Sequence, residues 1–247
     1  MKYASDFRAD GRDALRGKWG LAVLTGLIAV LLGGTGEEGP EFSLHTAGGR
    51  LQATFDFSGV SVYSFDGPAD SAIARFLAGS AVYLILAAVL LAVIYFIVGS
   101  IIEIGYARFN LNLIDRKEPV FSDVFSGISV WSTAIAARFL QTLYVLLWTL
   151  LLVIPGIIAA YSYAMTGYIL AEHPELTASE AIRRSKEMMS GRRWRLFCLH
   201  FSFIGWRLLC SLTMGIGLLW LIPYEKASEA AFYREISGIG ESMVYQM

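Results

Sequence analysis

The sequence predicts an all-α membrane protein of about six transmembrane helices in three pseudo-repeated pairs. Each pair is entered through an amphipathic helix lying on the cytoplasmic surface. Three observations carry that expectation. Hydrophobic residues make up 55% of the 247-residue chain and charged ones 17%, where soluble domains carry about 25% charge; the mean hydropathy is +0.54. The apolar residues gather into long runs almost free of charge, as in polytopic membrane proteins. Three times the chain repeats one order: an amphipathic segment, a Trp, an apolar run. Residues 1–247 read as a single membrane domain with an outer insertion at 35–74.

Residues 5–18 place Phe7, Gly11, Ala14 and Lys18 on one face and Asp and Arg on the other, a short helix suited to the interface. Trp19 follows, and an indole favours the headgroup boundary. Basic residues ahead of an apolar run also fit a signal peptide. The long charged arm and the poor cleavage site at Leu31–Thr35 argue against it. Leu21–Leu32 is span one. Trp19–Gly34 reaches about 24 Å as a helix, short of a ~30 Å hydrocarbon core, so thinning must supply the rest.

The 35–74 segment carries Glu37, Glu38, Glu41, Asp56, Asp66 and Asp70 against a single Arg50. Leu51, Ala53, Phe55 and Phe57 alternate with polar residues, Ser58-Gly59 offers a turn, and Val60, Val62 and Phe65 follow. This spacing predicts a small β-hairpin. From about Ala78 to Ile102 the chain is apolar, span two, and its helix continues through Glu103, Tyr106 and Asn110. Phe121, Val124, Phe125 and Ile128 then recur at helical spacing before Trp131. Span three runs to about Ile154, Pro155-Gly156 breaks it, and Ile157–Ala171 returns as span four.

The third entry is the clearest. Thr177 and Glu180 fit a capping box. Ala178, Ala181, Ile182, Ser185, Met188 and Met189 form a stripe opposite Arg183, Arg184 and Lys186, and Gly191 ends the helix. Trp194–Leu212 is span five and Gly215 opens span six. Glu225, Lys226 and Glu229 follow Pro223 closely, so span six reads equally as re-entrant or as lining a wet interior.

Trp131 and Trp194 lie 63 residues apart, and Trp19 and Trp131 112 apart, or roughly 72 without the outer insertion, an approximate internal repeat. Lys2, Arg8, Arg12, Arg16, Lys18, Arg108, Arg116, Lys117 and six cations in 171–195 fall on one side. Only Arg50 and Arg75 fall on the other. By the positive-inside rule both termini are cytoplasmic and 35–74 is extracytoplasmic; five spans instead of six would move the C-terminus outside.

The net charge of −1 gives no reason to expect nucleic acid as a partner. Cys198 and Cys210 lie in apolar runs and read as small buried residues. His45 and His173 sit in loops on opposite sides, which removes a three-His metal site. No phosphate-binding loop, nucleophile elbow or zinc-protease motif occurs, so no catalytic residue, cofactor or metal is expected.

Ionisable residues inside spans are functional candidates. Glu103 and Arg138 both lie about 10 Å inside the inner boundary, and we expect them to pair, with Gln141 and Thr142 continuing the stripe. Such a pair ties spans two and three together; two snorkelling side chains are the alternative. His200 and Arg207 share a face with Ser211. A proton relay there needs another titrating partner, and the sequence alone names none. Arg183, Arg184, Lys186, Arg192 and Arg193 suit anionic lipid headgroups, at about 1 kcal/mol per cation, or serve only to fix topology.

VIPGIIAAYSYAMTGYILAEHPEL (153–176), AIRRSKEMMSGRRWRLFCL (181–199), FSFIGW (201–206), GIGLLWLIPY (215–224) and AFY (231–233) resemble a family of bacterial integral membrane proteins catalogued as domain of unknown function 975. That family is similar in layout to the membrane portion fused to some glycerophosphodiester phosphodiesterases. The resemblance covers nearly the whole chain apart from 35–74 and brings no catalytic residues with it. The functional expectation is therefore a non-enzymatic membrane component, binding anionic lipids or other amphiphiles at the cytoplasmic face. It would support a membrane-protein partner, a second copy or an envelope process. The alternative is a small channel or transporter with the 103/138 and 200/207 stripes lining a path.

Overall fold

Runs rich in Leu, Ala and Ile with few breakers favour helix, and helix dominates outside 41–68. The computed structural model describes residues 2–35, 41–57, 60–68, 71–213 and 215–238. Helix α1 (Ala4–Leu15) turns through 107° into α2 (Trp19–Leu31). Gly17, at φ +75°, takes the left-handed conformation there without a Cβ penalty. Leu15, with Phe7 and Gly11, forms the buried face of α1, while Ala14 and Lys18, expected on that face, are half-buried.

The segment 41–68 is a three-stranded antiparallel meander: β1 (Glu41–Ala47), β2 (Arg50–Phe57) and β3 (Val60–Pro68). The expected hairpin is its β2–β3 half; the turn at Ser58-Gly59 lies outside the described residues. Strand β1 is an addition. It joins β2 through Gly48-Gly49, both at positive φ, which two-residue hairpins require.

Helix α3 (Ala72–Ile114) continues through Glu103, Tyr106 and Asn110 as the polar stripe suggested. The segment Phe121–Val130 is a 3₁₀ helix leading directly into α4 (Trp131–Leu151). This corrects the expected face. With three residues per turn, Val124 and Gly127 point inward while Phe125 and Ile128 stay exposed. The approach is tight. A Cβ on Gly105 of α3 would lie 1.8 Å from the Val124 carbonyl oxygen, and one on Gly127 would lie 2.0 Å from that of Ile101.

The break after α4 falls at Leu152, which is extended, and not at Pro155-Gly156. Pro155 sits in the first turn of α5 (Val153–Tyr163), where a missing N–H costs nothing. Helix α6 (Thr166–Glu172) completes the return, then α7 (Ala178–Met188), α8 (Arg193–Phe201) and α9 (Ile204–Leu212). Span five is thus interrupted at Ser202-Phe203, where the Ser202 hydroxyl bonds the Leu199 carbonyl in competition with the helix ladder. Helix α10 (Leu218–Ser237) runs through Pro223.

Among the described residues four helical stretches are long and apolar enough to cross a membrane: Leu86–Ile114, Phe121–Leu151, Val153–Glu172 and Arg193–Leu212. The bent pair α1–α2 counts as a fifth if taken as one span. Helix α10 is not among them, because five charged residues fall between Glu225 and Glu235. It forms the spine of the packed half instead. Phe7 of α1 meets Phe232 edge-on at 5.2 Å, Phe203 meets Tyr224 at 5.1 Å, and Tyr168 of α6 stacks on Tyr233 at 5.5 Å.

Candidate functional site

Burying a charge is tolerable only when it is paired and hydrogen-bonded, and α10 meets that condition along its length. Glu225 accepts from Arg207 Nε of α9 at 2.9 Å. Glu229 lies 3.0 Å from His200 Nε2 of α8, 3.1 Å from Lys226 Nζ and 3.3 Å from the Tyr168 hydroxyl. The other nitrogen of His200 is 3.4 Å from the Tyr161 hydroxyl. Arg234 forks between two carboxylates. Its Nε and Nη2 donate to Asp115 at 2.7 and 2.6 Å, and its Nη1 donates to Glu172, which also accepts from the Tyr233 hydroxyl at 2.7 Å. Glu235 accepts from Arg195 at 2.8 Å. Arg195 also bonds the Lys2 carbonyl, and its guanidinium lies over Phe7 and Phe232.

The residues singled out from the sequence fall into separate places. Arg138 Nη1 is 3.4 Å from Glu103 Oε2, so the two charges face each other across α3 and α4. Arg138 also donates to the Gly33 carbonyl at 2.9 Å and stacks over Phe96. Gln141 does not join that cluster; it bonds the Tyr163 carbonyl at 3.0 Å. The space between Glu103, Arg138 and Gln141 is about 10 Å³, room for about one water. His200 and Arg207 both face α10, while Ser211 is exposed and bonds its own helix at Leu208. Among the described residues no three of His, Cys, Asp and Glu gather as a metal site.

The basic segment is built from a capped helix. Thr177 Oγ1 accepts from the Glu180 N–H, and Glu180 accepts from both the Thr177 N–H and its hydroxyl. Those hydrogen bonds from Thr177 hold the Glu180 carboxyl below the usual carboxylate range. Ala178, Ala181, Ile182, Ser185 and Met189 are buried, and Met188 is half-buried. Ser185 closes the α5–α6 break by donating to the Ser162 carbonyl and accepting from the Met165 N–H. Arg183, Arg184, Lys186 and Arg192 are exposed, as is Trp194 at 71%. Arg193 differs: it is half-buried, and its Nε has no hydrogen-bond partner.

Inside the curve of α6, α7 and α10 lies an open pocket of about 410 Å³, with Arg184 and Arg192 at its edge and Ile169, Met188 and Ile236 beneath. Sequence reasoning missed this pocket and every partner of α10 except His200 and Arg207 themselves. A signal for two of those partners existed. Both Arg207–Glu225 and His200–Glu229 are centred near Gly215, at φ +82°, so folding α9 back on α10 there brings them together. The Arg234 fork had no such signal, since its partners lie 119 and 62 positions away.

The fold thus defines a mostly helical protein with four helices able to cross a membrane and one buried, charge-paired helix. Residues 142–239, from mid-α4 to the end of α10, match a family model described as "Protein of unknown function (DUF975)". The match is narrower than the nearly whole-chain resemblance expected, and it contains most of the charge pairs along α10. No curated protein matches the chain, and no solved structure does.

Proposed function

We propose that this chain is a multi-pass membrane protein of the bacterial cell envelope. In this reading it is non-enzymatic and holds anionic lipid headgroups at its cytoplasmic face, supporting a membrane-protein partner or a second copy. The span pattern is three pseudo-repeated pairs with both termini inside and 35–74 outside. The first half of α10 is the shallow sixth span, and the likeness in layout to the membrane portion of glycerophosphodiester phosphodiesterases belongs to the same reading. One observation carries it. The exposed cations Arg183, Arg184, Lys186 and Arg192 stand beside exposed Trp194, where a span begins, the arrangement that draws a segment onto an anionic surface. A tie-bar role for the intramembrane charges fits better than a conducting path. Glu103 faces Arg138 and Arg207 faces Glu225, and opposite charges on neighbouring helices hold those helices together.

The test uses the full chain in nanodiscs of mixed phosphatidylglycerol and phosphatidylcholine, extracted gently and assayed for retained lipid. The triple variant R183Q/R184Q/K186Q should keep less than half the phosphatidylglycerol of the parent. Equal retention overturns the headgroup reading. A single cysteine at the exposed position Ser190 should react with an impermeant thiol reagent only from the cytoplasmic side; labelling from outside overturns the topology.

A further inference from the structure

We infer that the pocket between α6, α7 and α10 is a binding site for a phosphate monoester carrying a short apolar arm. This inference does not rest on the headgroup reading, because the pocket's chemistry is the same in a protein that never meets an anionic bilayer.

Shape comes first. At about 410 Å³ the pocket falls within the range of small-molecule sites, which are mostly apolar with a few placed polar groups. Its floor is Ile169, Met188 and Ile236 with the ring of Tyr233. The ring cannot offer its hydroxyl, which is committed to Glu172.

Charge decides the ligand's sign. Two acids line the pocket, but both are answered. Glu172 is held by Arg234 on one oxygen and by Tyr233 on the other. Glu187 lies 4.0 Å from Arg183, one turn back along α7. His173 at the rim is turned to Glu175 at 3.2 Å. Two cations are left. Arg184 forms no ion pair among the described residues. Arg192 is fixed in place, since its Nη1 donates to the Met188 and Ile236 carbonyls, each at 3.3 Å. Those carbonyls neutralise no charge. A fixed guanidinium beside an exposed one, over an apolar floor, suits a dianionic phosphate whose organic part lies on the floor; the planar fork of Arg matches phosphate oxygens in pairs.

That phosphate can belong to a soluble ester or to a lipid such as phosphatidic acid, and the experiment separates the two. The full chain in phosphatidylcholine nanodiscs is titrated with hexyl phosphate by calorimetry. Hexyl phosphate should bind at least tenfold more tightly than inorganic phosphate. R184Q should weaken it tenfold or more, and S237W, which fills the pocket from its rim, should abolish it. R16Q, which removes an exposed cation that does not line the pocket, should stay within twofold. Matching circular dichroism spectra certify the fold, and R184Q at an exposed position decides the matter should S237W fail to fold. Equal losses in R16Q and R184Q overturn the proposal, as does equally tight binding of hexyltrimethylammonium. In nanodiscs containing phosphatidic acid, a rise in the apparent Kd for hexyl phosphate at least fivefold beyond that in nanodiscs of matched surface charge made with phosphatidylglycerol, a diester, upholds the site and assigns it to lipid headgroups. An unchanged Kd upholds it and assigns it to soluble esters.

Discussion

The two halves of this molecule solve the problem of burial in opposite ways. Around α10, the faces of α1, α3, α6 and α8 turned toward it are packed, and every charge of α10 has a partner. Around 86–97, 143–158 and 204–213, large apolar residues such as Leu90, Leu150, Ile154 and Leu208 stand exposed. The first half specifies one structure through close backbone approach and fixed charge pairs. The second leaves apolar faces uncovered on helices long and apolar enough to cross a membrane, and in hydrocarbon such helices gain little from packing on each other. A substitution should therefore weigh heavily in one half and lightly in the other, even when the chemistry is the same.

The sharpest break comes at Arg234. Its side chain is 10% exposed and Asp115 is 2% exposed, so R234Q takes the cation from Glu172 and leaves Asp115 with only the exposed Lys117, 3.8 Å away. Removing one partner of a buried pair costs about 3–5 kcal/mol. A denaturant titration of the detergent-solubilised protein should show a loss of that size. The comparison substitution is R50Q, which opens the exposed Arg50–Asp66 pair across β2 and β3. It should leave the midpoint where it was. Equal effects of R234Q and R50Q would mean that burial does not decide what a charge pair is worth in this chain.

Glycine gives the next contrast. G105A drives a Cβ into the Val124 carbonyl oxygen, which is backbone and cannot rotate away, so α3 and the 3₁₀ segment must separate. Overpacking of this kind costs about 1–3 kcal/mol. G205A, in α9 of the exposed half, meets nothing within 4 Å. It should be neutral or stabilising by up to about 1 kcal/mol, since Ala favours helix over Gly. Thermal midpoints of the two variants should move in opposite directions.

What was legible in advance follows the same division. The Thr177–Glu180 box spans four consecutive residues, so its geometry is local and its letters suffice. Glu103 and Arg138 could be matched because two helices entering from one side share a depth scale, and counting residues gives the depth. The exposed apolar stretches announced themselves by composition alone. The Arg234 fork joins the ends of α3 and α6 to α10, and nothing within any one element says which carboxylates will meet it. Leu152 could not be read as the break either, since a leucine has no local reason to be extended. The cause is the first turn of α5, which takes Pro155 where a helix start tolerates it. Phe125 and Ile128 misled for a different reason: their spacing fits a helix of 3.6 residues per turn, and Gly105 and Gly127 draw that segment into a tighter one.

The smallest effect sharpens the comparison within the packed half, at the one end of it that is wet. Helix α7 buries Ala178 and Ala181 but keeps its cap in solvent, so the cap should act as an independent local device. T177A removes the oxygen that satisfies the Glu180 N–H and should cost about 1 kcal/mol, the usual worth of such a cap. Amide exchange at residues 178–181 should quicken while exchange near Arg234 stays unchanged. The cap also carries a pH dependence whose sign is fixed. Glu180 is held below its ordinary value by Thr177, so its contribution is full above the unfolded carboxylate pKa of about 4.3. It is lost as the pH falls through the lower folded value. In E180Q the amide can still accept from the Thr177 N–H, and it has no proton to gain. Protection of the first turn of α7 should therefore fall on acidification in the parent and hold steady in E180Q. Parallel losses in both would mean that α7 is kept in place by its buried stripe alone, and the cap would drop out of the account of this helix.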